Sequence, residues 1–489
     1  MTAQTCEGGW GMAMVRRRAA ILVAVLLAGA ASFASAAGAG PERLDPGFGR
    51  AGKLVITPPP GAAEYGNALA ALPDGSLIVA GTAIPDPDAL PSLTYGSGLV
   101  TLPVGPPTPD VPFVSQNLGS VFLLLRILPD GTLDPEFGDG GRVWTDLVSA
   151  VARDVGDQVS DQFPVGSSAA YAVAVQPDGK IVVAGTTAAT PTLALAIARY
   201  LPDGELDASF GRDGIVITDA DPAADDTVSA LQISPAGRIL AAGRSGDKAV
   251  LARYFPNGDP DRSFGGKGYD GLAFTGNGFL GATALAVDAK GRIVAAGQGG
   301  AIGGPYDFAV ARYLAEGIPD KEFGGAGLIV TDLGGTGDYA SGVALGEGGT
   351  IVAAGSSAGS FALARYLPDG GLDRSFGNDG LVVGESGGAG GGGGFVPYDD
   401  GRMVMAGSRF GAFDLDVAVT RFLRNGRTDS DFGGDGALTT DVGDGRLDEA
   451  AAIAHQAGGK LAVTGTSYRD SFDALVFVFR YGGGDTAGR

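Results

Sequence analysis

The sequence predicts an all-β, seven-bladed β-propeller with four antiparallel strands per blade, and three observations predict it. A unit of four short apolar runs recurs seven times in one order. The runs are short, rich in Val, Ile and Ala, and bounded by Pro, Asp and Gly, which marks strands rather than helices. The first repeat begins at the point in the unit where the last one stops, so the two ends are expected to share a blade.

The clearest copy is residues 172–218, AVAVQPDGKIVVAGTTAATPTLALAIARYLPDGELDASFGRDGIVIT. Its first run, 172–176, leads into Pro177-Asp178-Gly179, a hairpin signal that uses the freedom of Gly at positive φ. Residues 181–185 form the second run and 195–200 the third, which leads into the turn Leu201-Pro202-Asp203-Gly204. Leu206-Asp207, Phe210-Gly211 and Gly214 then precede the fourth run, 215–218.

Three markers count the copies independently. The Phe of an Asp-x-x-Phe-Gly turn is Phe48, Phe137, Phe210, Phe264, Phe323, Phe376 and Phe432. A Gly closing the second run is Gly81, Gly185, Gly243, Gly297, Gly355, Gly407 and Gly465. An Arg in the third run is Arg126, Arg199, Arg253, Arg312, Arg365, Arg421 and Arg480. A four-strand unit with a period of roughly 50–60 residues fits a propeller blade and exceeds the repeat of short-period β-helices.

The pattern PDGKIVVAG…FALARYLPDGxLDxSFGxxGxVxTD resembles the delta-60 repeat family, a domain of unknown function described as a β-propeller. The resemblance runs from Leu44 to Tyr481. It implies the fold and, commonly, an exported bacterial protein, and it implies no activity. The sixth copy departs from the pattern: glycines 390–394 replace the apolar start of its first strand, which is expected to be irregular.

Taken in order, residues 1–36 read as a signal peptide: Arg16-Arg17-Arg18, an apolar stretch 19–31, and Ala34-Ser35-Ala36 as the cleavage site. Met1 and Met14 are both candidate starts. The propeller is expected over 41–481 and a short tail over 482–489, with no membrane span in the mature chain. The only cysteine, Cys6, precedes the apolar stretch, so no disulfide is expected after cleavage. Residues 1–36 hold three arginines and one glutamate, so the mature chain is more acidic than the −21 of the whole sequence. That balance argues against nucleic acid as a partner and suits a soluble exported protein, expected to be a monomer.

Three stretches interrupt the repeats. Residues 82–120 fall between the second and third strands of the first blade, 146–168 precede the first strand of the second, and 384–394 are glycine-rich. Long loops of the first two kinds are either functional or disordered. The glycine run lacks the Gly-Lys-Ser/Thr and strand-to-helix context of a phosphate cradle.

Chemistry is narrowed by exclusion. A single histidine, His455, rules out multi-histidine metal sites, and it occupies the first-strand column filled elsewhere by Ala71, Val175, Ile233, Val287, Leu345 and Pro397. Asp134, Asp207, Asp261, Asp320, Asp373 and Asp429 each follow the third-strand Arg of their own unit by eight residues. This spacing predicts structural pairs Arg126–Asp134, Arg199–Asp207, Arg253–Asp261, Arg312–Asp320, Arg365–Asp373 and Arg421–Asp429, with Arg480–Asp45 as the seventh across the seam. Acids also gather after the fourth strands, at Asp219, Asp221, Asp225 and Asp226, at Asp332 and Asp338, and at Asp441, Asp444 and Asp448. None of these loops matches a D-x-[DN]-x-[DN]-G calcium loop, so solvated turns are the default and calcium the alternative.

The functional expectation is an exported scaffold for binding an extracellular protein or glycan, with no catalytic residue assigned and no cofactor. A propeller enzyme of lyase or hydrolase type and a structural cell-surface module are the alternatives. Alternating strand directions put the Pro-Asp-Gly and Asp-x-x-Phe-Gly turns on one face and the two insertions with the acidic loops on the other. Ligand contact is expected on the second face, at Tyr95, Phe113 and Phe163.

Overall fold

A computed structural model describes residues 43–85, 119–148, 167–188, 190, 192–266, 271–275, 278–301, 304–335, 337–384, 393–410, 415–443, 445–468 and 473–482. Strands β1 (Arg43–Leu44) and β2 (Lys53–Ile56) come first. The first four-stranded sheet follows, with β3 (Ala63–Ala71), β4 (Leu77–Ile84), β5 (Val121–Ile127) and β6 (Arg142–Thr145) paired in that order. The second sheet is β7 (Ser168–Val175), β8 (Ile181–Thr187), β9 (Ala194–Tyr200) and β10 (Ile215–Thr218). The third is β11 (Asp226–Ile233), β12 (Ile239–Ser245), β13 (Lys248–Tyr254) and β14 (Leu272–Thr275). The fourth is β15 (Phe279–Val287), β16 (Ile293–Gly300), β17 (Tyr306–Tyr313) and β18 (Leu328–Thr331). The fifth is β19 (Asp338–Leu345), β20 (Ile351–Ser357), β21 (Ser360–Tyr366) and β22 (Leu381–Val383).

The remaining strands are β23 (Phe395–Pro397), β24 (Met403–Phe410), β25 (Leu415–Phe422), β26 (Ala437–Thr440), β27 (Leu447–Gln456), β28 (Lys460–Tyr468) and β29 (Ala474–Gly482). Together with β1 and β2 they form one nine-stranded mixed sheet. Its mixed character comes from a single parallel bridge, Leu415 to Leu447. On either side of that bridge stand β23–β26 and the group β27, β28 and β29, to which β1 and β2 pair antiparallel. The architecture is thus all-β, built of propeller-like four-stranded antiparallel blades. Among the described residues, no helix is long and apolar enough to cross a membrane.

The pairings explain the second-strand glycine. In six blades the first strand carries a register shift, as between Ala170 and Ala172 opposite β8. This bulge pushes a first-strand carbonyl over the facing glycine. A Cβ on Gly185 would lie 2.0 Å from the Ala169 carbonyl oxygen, and one on Gly81 or Gly243 would lie 1.8 Å from its neighbour. The bulge also lets the first strand start earlier than expected, at Ser168 rather than at 172.

In the sixth blade the first strand is only three residues, β23, and shows no shift. Its leading glycines lie against the backbone of β27: a Cβ on Gly393 would come within 2.4 Å of the Ala450 carbonyl oxygen. Those glycines permit a close approach that no apolar side chain could share.

The cores lie between consecutive sheets. One joins Ile78, Phe122 and Leu124 to Ile181, Val183 and Ala198, and another joins Phe48 and Ile56 to Leu77, Val79 and Leu125, with Val476 and Val478. Every Phe of the Asp-x-x-Phe-Gly turns is completely buried. Burial of one such ring contributes about 1.5–3 kcal/mol.

Candidate functional site

The two faces formed by the alternating strands differ in chemistry. On the face of the Pro-Asp-Gly and Asp-x-x-Phe-Gly turns, the Arg Nε stands 3.2 Å from the carboxylate in Arg126–Asp134 and 2.8 Å in Arg199–Asp207. The distance is 2.9 Å in Arg253–Asp261 and 2.8 Å in Arg312–Asp320, Arg365–Asp373 and Arg421–Asp429. Arg480 and Asp45 lie 2.9 Å apart, although 435 residues separate them. In six of these seven units the guanidinium also lies over the buried Phe, from 4.5 Å at Phe48 to 4.8 Å at Phe432.

Six of these seven arginines show a second task that the sequence pattern does not announce. Arg126 donates through Nη1 to the Pro202 carbonyl at 2.9 Å, Arg312 to Pro368 at 2.6 Å, and Arg365 to Arg424 at 2.7 Å. Arg199 and Arg253 donate likewise to Pro256 and Ala315. All five carbonyls belong to the turn after the third strand of the following blade. Arg480 reaches the Pro129 carbonyl of the first blade at 2.5 Å. The Phe-Gly amides run parallel to this stitch: Gly138 donates to Asp203, Gly211 to Asn257, and Gly49 to Asp130. In five blades a tyrosine near the end of the third strand ties the blade backwards, as with Tyr200 to Thr145 at 2.9 Å, Tyr254 to Thr218 at 2.7 Å and Tyr481 to Thr440 at 2.9 Å.

A further cation reaches several of the aspartates. Lys180 Nζ lies 3.0 Å from Asp207 and Lys460 Nζ 2.8 Å from Asp45, while Arg238 pairs with Asp261. Burial works to raise Asp45, Asp207 and Asp261, but hydrogen bonds and these cations outweigh it and hold all three below the ordinary carboxylate value. The charges on this face are therefore engaged in structure.

His455 lies on β27, its ring meeting Tyr398 edge-on at 4.4 Å and its Nε2 3.0 Å from the Pro397 carbonyl oxygen. Burial pulls its pKa below the usual value. The imidazole joins the first strands β23 and β27 through the Pro397 carbonyl.

The opposite face holds the ends of β4, β6 and their counterparts, where the insertions leave the sheets. Tyr95, Phe113 and Phe163 lie outside the described residues. What the described residues do show here is clustered negative charge. Carboxylate oxygens of Asp307, Asp332 and Asp338 lie within 4.8 Å of one another, and so do those of Asp416, Asp441 and Asp448. In each trio the first acid stands at the start of a third strand, the second just past the fourth strand, and the third at the start of the next first strand. Asp338 and Asp448 are fully buried, and each accepts an N–H from its own loop, from Leu333 at 2.8 Å and Val442 at 2.6 Å.

Burial raises the Asp307 carboxyl above its ordinary value, and the charges of Asp332 and Asp338 add to the rise. Burial likewise pushes Asp448 up to about 6, with Asp441 and Asp416 adding to it. The sequence singled out Asp332, Asp338, Asp441 and Asp448, but it missed Asp307 and Asp416. They sit inside strands about 25 residues earlier, each five residues before its third-strand Arg, and that fixed offset was the available signal.

Known proteins add the following. Among solved structures, a protein of unknown function from Dyadobacter fermentans DSM 18053 is 12% identical, with 90% of this chain and 100% of that chain covered and a TM-score of 0.44. Virginiamycin B lyase from Staphylococcus aureus is 9% identical over 87% of this chain and 98% of that chain, with a TM-score of 0.41. A glucose dehydrogenase is 14% identical over 75% and 94%, with a TM-score of 0.31. Likenesses at this level carry no argument about activity. No curated protein matches the chain.

A family model described as "Domain of unknown function (DUF5122) beta-propeller" matches residues 113–137, 176–210, 235–264, 291–323 and 349–376. Each matched segment ends on, or runs up to, the Phe of an Asp-x-x-Phe-Gly turn, the element that here stitches one blade to the next. In these five repeat segments the chain matches the DUF5122 β-propeller family, a family of unknown function.

Proposed function

We propose that the chain is an exported, seven-bladed propeller that serves as a scaffold for binding an extracellular protein or glycan. The seventh blade takes β27, β28 and β29 from the C-terminal end and β2 from the N-terminal end. The pairing of β2 with β29, the Arg480–Asp45 pair and the Gly49 bond to Asp130 support that reading, because each repeats across the seam what the other blades do within the chain. A ring joined in this way leaves only short outer edges. Residues 1–36 act as the export signal and are removed.

The observation that carries the functional reading is the asymmetry of the two faces. One face is repeated from blade to blade and its ionisable groups are occupied by blade-to-blade stitching. The other carries the long connections after β4 and after β6, and the acidic clusters. Variable loops on a rigid frame are where binding is usually built. Tyr95, Phe113 and Phe163 are the proposed contacts within those connections. The test is a protein and glycan screen with the secreted chain and with a variant in which residues 87–117 are replaced by a short Gly-Ser linker. Loss of a binding partner at unchanged melting temperature supports the proposal, and retention of every partner removes the first insertion from it.

A further inference from the structure

We propose that Asp307, Asp332 and Asp338 form a binding site for a hard divalent cation of the calcium class, at the junction of the fourth and fifth blades. The three side chains converge from β17, from the loop after β18, and from the first residue of β19. Their oxygens lie within 4.8 Å of one another. Calcium holds its oxygen ligands at about 2.3–2.6 Å, so two ligands on one ion stand at most about 5 Å apart. The spacing is therefore that of atoms sharing an ion.

A second, separate observation concerns Asp338. It is 0% exposed, and while its Oδ2 accepts the Leu333 N–H, its Oδ1 has no hydrogen-bond partner. That atom faces the loop carrying Asp332, because a Cβ on Gly335 would lie 2.6 Å from it. A buried carboxylate oxygen without donor or cation is costly, and a neighbouring pair of acids increases the cost. The charges acting on Asp307 are Asp332 and Asp338, both negative. By contrast Asp45 and Asp207, on the other face, each meet an Arg and a Lys.

The chain contains its own controls. In the second blade Asp219 and Asp226 repeat two of the three acids, and Asp226 accepts the Ala220 N–H at 2.6 Å, but Ala194 stands where the fourth blade has Asp307. In the sixth blade Asp416, Asp441 and Asp448 repeat all three, yet the Lys53 ammonium reaches the Asp441 carbonyl and brings a positive charge beside that cluster. The Asp307 cluster thus combines three acids with no described cation beside it. Asp332 is exposed, so an ion can enter from solvent.

The test uses the full secreted chain stripped with a chelator. Titration with calcium chloride, followed by calorimetry and by thermal melting, is expected to show saturable binding and a melting temperature that rises with calcium. Asp307→Ala, which copies Ala194, and Asp332→Asn are each expected to weaken the Asp307 site about tenfold or more by removing one charged ligand. Asp219→Ala is expected to leave calcium binding unchanged. In chelator, Asp307→Ala is expected to melt no lower than the parent, since it relieves repulsion, which also shows that the variant is folded. The proposal is overturned if the parent neither binds nor shifts with calcium up to about 5 mM, beyond the range of weak extracellular calcium modules. It is equally overturned if Asp307→Ala and Asp332→Asn bind as the parent does, or if only Asp416→Ala abolishes binding.

Discussion

Replacing Asp45 by Ala tests the seam of the propeller directly. The Asp45 carboxylate takes the Arg480 guanidinium at 2.9 Å, the Lys460 ammonium at 2.8 Å and the Gly47 N–H at 2.9 Å. Its loss leaves the Arg480 side chain, only 6% exposed, without its ion-pair partner. Removing one partner of a buried pair costs about 3–5 kcal/mol. The lower end applies, because Arg480 keeps the Pro129 carbonyl and the face of Phe48. With an unfolding entropy of about 2.1 cal/mol/K per residue over roughly 400 ordered residues, about 3 kcal/mol lowers the melting temperature by about 4 °C.

The reference is Asp207→Ala, which breaks the equivalent pair between residues only eight apart. Melting followed by circular dichroism should show the two variants falling by the same amount, within about 1 °C. If Asp207→Ala falls by that amount and Asp45→Ala does not fall at all, the two ends do not form a blade like the others and the seam is refuted. A double variant, Asp45→Ala with Arg480→Met, should recover part of the loss, because the stranded charge is removed with its partner.

Two further outcomes follow from the same framework. Gly185→Ala places a Cβ 2.0 Å from the Ala169 carbonyl oxygen, so it should cost about 2 kcal/mol or more, read as a lower urea midpoint; a loss under about 0.5 kcal/mol would show that the bulge opposite it is free to relax. Asp45, Asp207 and Asp261 are held below the ordinary carboxylate value in the fold, so their contribution is complete above the unfolded value of about 3.9 and is lost as pH falls through it toward their folded values. Urea midpoints measured between pH 7 and pH 2 should not fall until about pH 4, since the raised Asp307 and Asp448 add stability as they take up protons above it, and should then drop; absence of the drop would mean that these ion pairs add nothing.

The all-β class, the count of the repeats and the Arg–Asp spacing were legible in the sequence because each depends on residues close along the chain. A Pro-Asp-Gly turn, a third-strand Arg199 and an Asp207 eight residues later are local signals, and local periodicity reports which backbone conformation each segment adopts. The meaning of the second-strand glycine was not legible, because the carbonyl that excludes a Cβ from Gly185 comes from Ala169 in a neighbouring strand with an extra residue. Nor was the second task of the arginines. Arg312 meets the Pro368 carbonyl across a blade boundary, and only the packing of one sheet on the next sets that distance. The acidic clusters show the same division. The turn acids Asp332 and Asp338 stand out in sequence, whereas Asp307 lies within a strand and acquires its significance when the blade-to-blade crossing carries β19 back beside β17. Sequence determined what each unit is, through short-range sterics and hydrogen bonding. The tertiary structure decided which charges meet, because electrostatic energy depends on distance in space and the fold brings together groups that the chain keeps 25, 57 or 435 residues apart.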